Sequence, residues 1–183
     1  MNKIIAADLY RYVGKSGIKA FIQAFFIPGF RFTFFLRKAS FKKKYSISGI
    51  FYRLLLRRYS YKYGFQIPAT TQIGEGFLIS HFGSIVINEN TRIGKNCNIT
   101  HGVTIGRTNR GKLKGSPILG DKIWIGANAS IVGKITIGTN VLIAPNSFVN
   151  FDVPDNSLVI GNPAKILNKE NATEGYIGAI LPV

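Results

Sequence analysis

The sequence predicts a mainly β fold, with short strands wound into a parallel solenoid and an α-helical segment in front of it. Three observations carry this reading. Aliphatic residues recur every six positions: Ile67, Ile73, Ile79, then Ile87, Ile93, Ile99, Ile105, then Leu119, Ile125, Ile131, Ile137, Ile143 and Val149. Glycine often follows at once, at Gly74, Gly94, Gly106, Gly120, Gly126 and Gly138. The chemistry of the chain also changes near residue 64: residues 1–64 hold 14 of the 24 Lys and Arg, one acid (Asp8), and 16 of the 23 aromatic residues.

A period of six matches neither an α-helix nor a flat two-faced sheet. It fits a coil in which each hexad makes one short strand and one corner, and three hexads close a triangular turn. The aliphatic residues then point inward and stack on their own kind. Four places further on, the small or β-branched Thr71, Thr91, Cys97, Val103, Ala129, Val141 and Ser147 fill the remaining inward positions, a rule that Phe77 and Gly83 break. Glycine at the corner is expected to supply unusual backbone angles. The register slips twice, by two residues between Ile79 and Ile87 and by a longer insertion between Ile105 and Leu119, where residues 107–116 leave the coil as a loop.

This register accounts for the two histidines of the chain. His81 and His101 each stand two places after an inward isoleucine, and their spacing of twenty is one coil of eighteen plus the two-residue insertion. They are expected on one face of successive coils, about 4.8 Å apart at the backbone. Histidine suits proton removal from a hydroxyl, because an imidazole titrates near neutral pH. No third ligand lies close in sequence, so no metal site is expected.

Three parts follow: a basic, aromatic-rich helical segment at 1–64, broken at Gly14, Gly17 and Pro28–Gly29; a solenoid domain at 65–167; and a repeat-free tail at 168–183, expected to pack on a neighbour or stay loose. The formal net charge of +16 implies anionic partners. Cations mixed with aromatics in the first segment fit an anionic membrane surface, and equally a cap that seals the solenoid. No nucleic-acid motif accompanies the charge, so nucleic acid is not an expected partner. The loop 107–116 carries Arg107, Arg110, Lys112 and Lys114, suited to an anionic acceptor or a phosphate, or simply to solvent. The single cysteine excludes an intrachain disulfide and fits a reducing compartment. Asp8 interrupts the apolar run a signal peptide needs. The chain therefore reads as cytoplasmic, with peripheral attachment to the inner face of a membrane left open.

The stretch "SHFGSIVINENTRIGKNCNITHGVTIG" and the wider segment Gly64–Leu167 resemble the hexapeptide-repeat, left-handed β-helix acyltransferases, in their serine O-acetyltransferase branch. The stretch looks especially like exopolysaccharide O-acetyltransferases of the colanic-acid type, and "IPGFRFTFFLR" resembles the helical element preceding the solenoid in serine acetyltransferases. The resemblance implies the left-handed winding and acetyl-CoA as donor. It also implies a homotrimer with sites between neighbouring solenoids, pairing of trimers into hexamers being left open. It places the catalytic histidine on His81, an acyl-CoA groove along Gly106, Gly126, Ala127, Ala144 and Pro145, and a CoA phosphate near Lys165 in "GNPAK".

The departures from that branch bear on the acceptor. Where the resemblance implies an Asp orienting the histidine, this chain has Gln66; where it implies an Asp and an Arg-His pair that hold serine, it has Ser80 and Gly115–Ser116. A zwitterion needs charged partners of both signs. The hydrogen-bonding Ser80, Asn98, Thr100, Asn109 and Ser116 are therefore expected to bind a neutral sugar or lipid-linked glycan hydroxyl. The expected function is sugar O-acetylation in capsule or exopolysaccharide assembly, with His81, His101 and Gln66 as the catalytic group. The alternatives are a serine O-acetyltransferase of cysteine biosynthesis and a non-catalytic solenoid scaffold.

Overall fold

The computed structural model describes residues 2–182. Four helices come first: α1 (Lys3–Val13), α2 (Ile18–Phe25), α3 (Pro28–Ser40) and α4 (Ile47–Tyr63). Their ends follow local chemistry. The Asn2 side chain accepts from the Ile4 N–H at the start of α1, Pro28 opens α3, and the Ser46 hydroxyl accepts from the Gly49 N–H at the start of α4. Gly14 and Gly64 end α1 and α4 in the left-handed region, at φ 63° and 76°.

The solenoid follows in five turns. These are β1 (Phe65–Gln66), β2 (Gln72–Ile73) and β3 (Leu78–Ile79); β4 (Ile85–Ile87), β5 (Arg92–Ile93) and β6 (Asn98–Ile99); β7 (Thr104–Gly106), β8 (Ile118–Leu119) and β9 (Ile123–Ile125); β10 (Ser130–Val132), β11 (Thr136–Ile137) and β12 (Val141–Ile143); and β13 (Phe148–Val149) with β14 (Ser157–Gly161). Strands stack into three parallel faces: β1-β4-β7-β10-β13, then β2-β5-β8-β11, then β3-β6-β9-β12-β14. β15 (Ala164–Asn168) closes the third face as an antiparallel partner of β14. The stacked Ile79, Ile99, Ile125 and Ile143 are fully buried, each stabilising the coil by about 1.5–3 kcal/mol.

The corner glycines act differently from the sequence expectation. Gly74, Gly94, Gly120 and Gly138 have ordinary φ; a Cβ on any of them would come within 2.8 Å of an atom of the next coil. They are required for close approach. The left-handed positions lie two residues later, in a column of Gly76, Asn96, Lys122, Asn140 and Asn156 with φ of 54–77°. Asparagine tolerates that conformation better than other side-chain-bearing residues.

The first coil would leave its upper backbone groups bare, an edge that needs covering. The helical segment satisfies them. Asp8 accepts from the Phe77 N–H at 2.9 Å, and Tyr12 Oη accepts from the Ile79 N–H at 2.7 Å. Arg37 donates to the Ile73 and Gly74 carbonyls at 2.6 Å each, and Arg11 donates to the Gly76 carbonyl at 3.2 Å. Asp8 and Arg37 are themselves a buried ion pair at 2.8 Å. Four polar side chains on two helices thus replace the missing coil above.

The tail does not wait for a neighbour. It folds back on the third face of its own chain. The Tyr176 ring packs on Trp124 at 4.7 Å, the Tyr176 carbonyl accepts from Asn98 at 3.1 Å, and Thr173 bonds Asn140. Ala172 joins Leu142 and Ala144 in a small apolar cluster. The outer sides of the helical segment leave Ile18, Ile22 and Phe26, and Ile47, Phe51 and Leu54, exposed. No single helix among the described residues is long and apolar enough to cross a membrane; α2 and α3 pass that test only as a pair bent by 109°.

Candidate functional site

Successive coils align Ile79 with Ile99, Ile99 with Ile125, Ile125 with Ile143 and Ile143 with Val159. Two places on, the same register lines up His81, His101, Ala127, Pro145 and Gly161 on the edge between the third and first faces. The histidines meet there. Their rings stand edge to face, with centroids 5.9 Å apart and planes at 79°. Both residues are exposed. The two-residue insertion between β3 and β4 makes this possible: Gly83 lies against His101, where a Cβ on it would come within 3.2 Å of the His101 Cβ.

The rest of this edge is small and close-packed. Gly126 is buried, and a Cβ there would meet the Pro145 backbone nitrogen at 2.5 Å. Below His101, the Asn128 N–H donates to the His101 carbonyl, and the Asn146 N–H donates to the Ala127 carbonyl. Ala144 is buried under the tail, while Pro145 is exposed. At the foot, Lys165 pairs with Ile160 across the β14–β15 hairpin and is exposed. The edge therefore carries six of the residues singled out from the sequence, His81, His101, Gly126, Ala127, Ala144 and Pro145, with Lys165 at its end.

Other expected residues stand elsewhere. Gln66 lies on the first face, paired with Val86, and no hydrogen bond joins it to His81 among the described residues. Its expected part in fixing the imidazole is therefore not met within one chain. Gly106 ends β7 and is aligned with Val132, at the far side of the first face from the histidines. The loop 107–116 leaves from that far edge. It is a short hairpin closed by mutual Thr108 and Gly115 backbone bonds of 2.9 Å, with Asn109 exposed at its start. Ser116 donates to Asn88 Oδ1 at 2.9 Å. Ser80 is exposed beside His81.

Two expected acceptor contacts are structural instead. Asn98 is 6% exposed, and its amide is shared between Arg11 and the Tyr176 carbonyl. Thr100 is 8% exposed and donates to the Ile125 carbonyl at 2.8 Å. Neither offers a free group to a ligand. Cys97 is fully buried, its thiol 3.4 Å from the Gly120 carbonyl, and burial pushes it up to about 12. It is a core thiol, not a nucleophile.

A feature that sequence reading missed is a cavity of about 980 Å³ between α4 and the first face. Arg53 and Arg57 line it from the helix, and Gln66, Asn88, Glu89 and Arg107 from the solenoid. The helical spacing of Arg53 and Arg57 was legible, but that α4 lies against the first face was not.

An exposed imidazole pair thus stands at the head of one solenoid edge. A family model, "Bacterial transferase hexapeptide (six repeats)", matches residues 116–150. The structure of serine acetyltransferase from Neisseria gonorrhoeae in complex with serine is 32% identical, with a TM-score of 0.73 over 90% of this chain and 68% of that one. The serine acetyltransferase of Brucella abortus in complex with coenzyme A is 27% identical, with a TM-score of 0.76 over 91% of this chain and 67% of that one. This chain belongs to the hexapeptide-repeat β-helix acyltransferases, and the relatives it resembles there are serine acetyltransferases. The serine acetyltransferase of Helicobacter pylori is 39% identical over 107 residues, which are 58% of this chain and 63% of that protein. The chain thus spans less than two thirds of that relative's length.

These relatives overturn the expected sugar acceptor and the likeness to exopolysaccharide enzymes, because the proteins matched are serine acetyltransferases, one of them solved with serine. The burial of Asn98 and Thr100 removes two of the groups on which the sugar reading rested.

Proposed function

We propose that this chain is a serine O-acetyltransferase that takes its acetyl group from acetyl-CoA. The observation that carries the reading is the edge-to-face pair His81–His101 at the head of one solenoid edge. From the His81 level to the hairpin at the foot is four coil steps, about 19 Å at the usual strand spacing. That length suits an extended, amide-rich pantetheine arm on exposed backbone, with the Lys165 ammonium for a phosphate.

In this reading His81 accepts the proton of the serine hydroxyl as its oxygen attacks the thioester carbonyl carbon. The carbon–sulfur bond then breaks, the acetyl group stays on the serine oxygen, and the proton leaves on the thiol of CoA. His101 packs against the His81 ring and holds its orientation. Backbone N–H groups at the edge stabilise the oxyanion.

The working unit in this proposal is a trimer. The third face is covered by the chain's own tail and the top of the first face by α4, so the second face and the lower coils of the first are left for neighbours. The histidine edge and the cavity holding Gln66 lie on separate parts of one chain, and association of copies would bring one to the other. Light scattering on the purified protein checks this; a monomer would sink it.

The direct test is thiol release from acetyl-CoA, with and without L-serine, beside His81→Ala. Serine-dependent release that falls by about 10²–10⁴-fold in the variant is expected. Release indifferent to L-serine in folded protein would overturn the reading.

A further inference from the structure

At the positions where the serine acetyltransferase resemblance implies charged serine contacts, this chain has Ser80 and Gly115–Ser116. The cavity between α4 and the first face supplies charge from elsewhere. Arg53, Arg57 and Arg107 line it, against the single carboxylate of Glu89.

None of the three guanidinium groups forms an ion pair among the described residues. Among the described residues the ion pairs are Asp8–Arg37 and Lys95–Glu75, and neither involves the cavity. Arg53 Nε is buried with no hydrogen-bond partner. Arg57 is held over the Tyr61 ring, 5.7 Å from its centroid, which orients the group without using its N–H donors. Asn88 Oδ1 accepts from Ser116 and from the Asn90 N–H. A guanidinium has five donors and no acceptor. Arg57 and Arg107 reach the cavity from its exposed rim, while the buried Arg53 Nε, a donor left unsatisfied, costs free energy until an acceptor of negative charge enters.

We propose that this cavity is an anion-binding subsite, in which Arg53, Arg57 and Arg107 hold a carboxylate or phosphate group. Naming that group as the serine carboxylate rests on the proposed function; the anion site does not. Because Gln66 and Gly106 line the same cavity, the anion is held on the first face, where a neighbouring copy's histidine edge would meet it.

The test is titration calorimetry on the full chain with four probes: L-serine, L-serinamide, CoA and dephospho-CoA. Serinamide keeps the hydroxyl and the ammonium and lacks the carboxylate; dephospho-CoA lacks one phosphate. Wild-type protein is expected to prefer the charged member of one pair by about tenfold or more, and Arg53→Gln and Arg107→Gln to abolish that preference. Loss of the serine preference assigns the site to the carboxylate, and loss of the CoA preference assigns it to the phosphate. Arg107 lies at the exposed loop edge, so Arg107→Gln carries the test if Arg53→Gln does not fold. Equal affinity for both members of each pair, or preferences unchanged in folded variants, would overturn the subsite. The two readings fail separately. Serine turnover with KM unchanged for both L-serine and acetyl-CoA in the arginine variants removes the subsite and leaves the serine enzyme. Arginine-dependent CoA preference without serine turnover does the reverse.

Discussion

The hydroxyl of Tyr12 accepts a hydrogen bond from the backbone N–H of Ile79 at 2.7 Å. Ile79 ends β3, the top strand of the third face, and His81 stands two residues further on. Helix α1 thus fixes the strand that presents the imidazole. Burial pushes the Tyr12 hydroxyl up, so it stays protonated, with Thr33 Oγ1 3.5 Å away. Tyr12→Phe leaves the Ile79 N–H buried and unpaired. A loss of about 1–3 kcal/mol in urea unfolding is expected, together with a lower rate of the proposed serine-dependent thiol release. An unchanged urea midpoint would show that the bond does not hold β3.

Helix α3 approaches the same strand through Gly29. A Cβ on Gly29 would stand 2.2 Å from the Ile79 carbonyl oxygen and 3.0 Å from Tyr12 Oη. Gly29→Ala should therefore cost about 1–3 kcal/mol, because both neighbours are fixed and the helix must move. Gly178, with ordinary φ and open space around it, serves as the control: Gly178→Ala should stay within about 0.5 kcal/mol. Thermal midpoints of the two variants make the comparison.

Cys97 ties stability to alkaline pH. Its thiol titrates near 9 when exposed and is pushed up to about 12 by burial. Between those values the unfolded chain has lost the proton and the folded chain has kept it, so the folded state binds more protons and stability falls as pH rises. The slope from this group is about 1.4 kcal/mol per pH unit above pH 9. Cys97→Ala should flatten the unfolding free energy by that amount. The same burial predicts that an alkylating reagent at pH 8 labels no thiol until denaturant is added.

The tail can be followed by the only tryptophan of the chain. Trp124 lies 4.7 Å from the Tyr176 ring. Tyr176→Ala should uncover the indole and shift its emission to the red, with a loss of about 0.5–1.5 kcal/mol from the missing aromatic pair. Emission identical to wild type would mean that the tail does not rest on the third face in solution.

Much of the site was legible because it follows the period. The register that stacks Ile79 on Ile99 also stacks His81 on His101, and the insertion explains their spacing of twenty. The acceptor residues were less legible. Asn98 and Thr100 carry polar groups three places and one place before His101, yet Asn98 is taken by Arg11, 87 residues away, and Thr100 by the coil below. No local pattern distinguishes a polar group facing a ligand from one facing a distant helix. The glycines show the same limit. Their position at the corner was visible, but only the 2.4–2.8 Å approach of the next coil shows that closeness, not backbone angle, demands them at Gly94 and Gly120.

By itself the sequence determined the solenoid, its inward residues, the site of its loop and the pairing of its histidines. All four are repeats of one local rule, that each hexad must bury its aliphatic residue and turn a corner. Only the tertiary structure decided what covers the ends and faces. It set Asp8, Arg11, Tyr12 and Arg37 over the first coil, laid the tail on Trp124, and gathered Arg53, Arg57 and Arg107 around one cavity. Those contacts join segments far apart in the chain. They depend on where unsatisfied backbone groups and apolar surface are left once the solenoid has formed, which no window of the sequence contains.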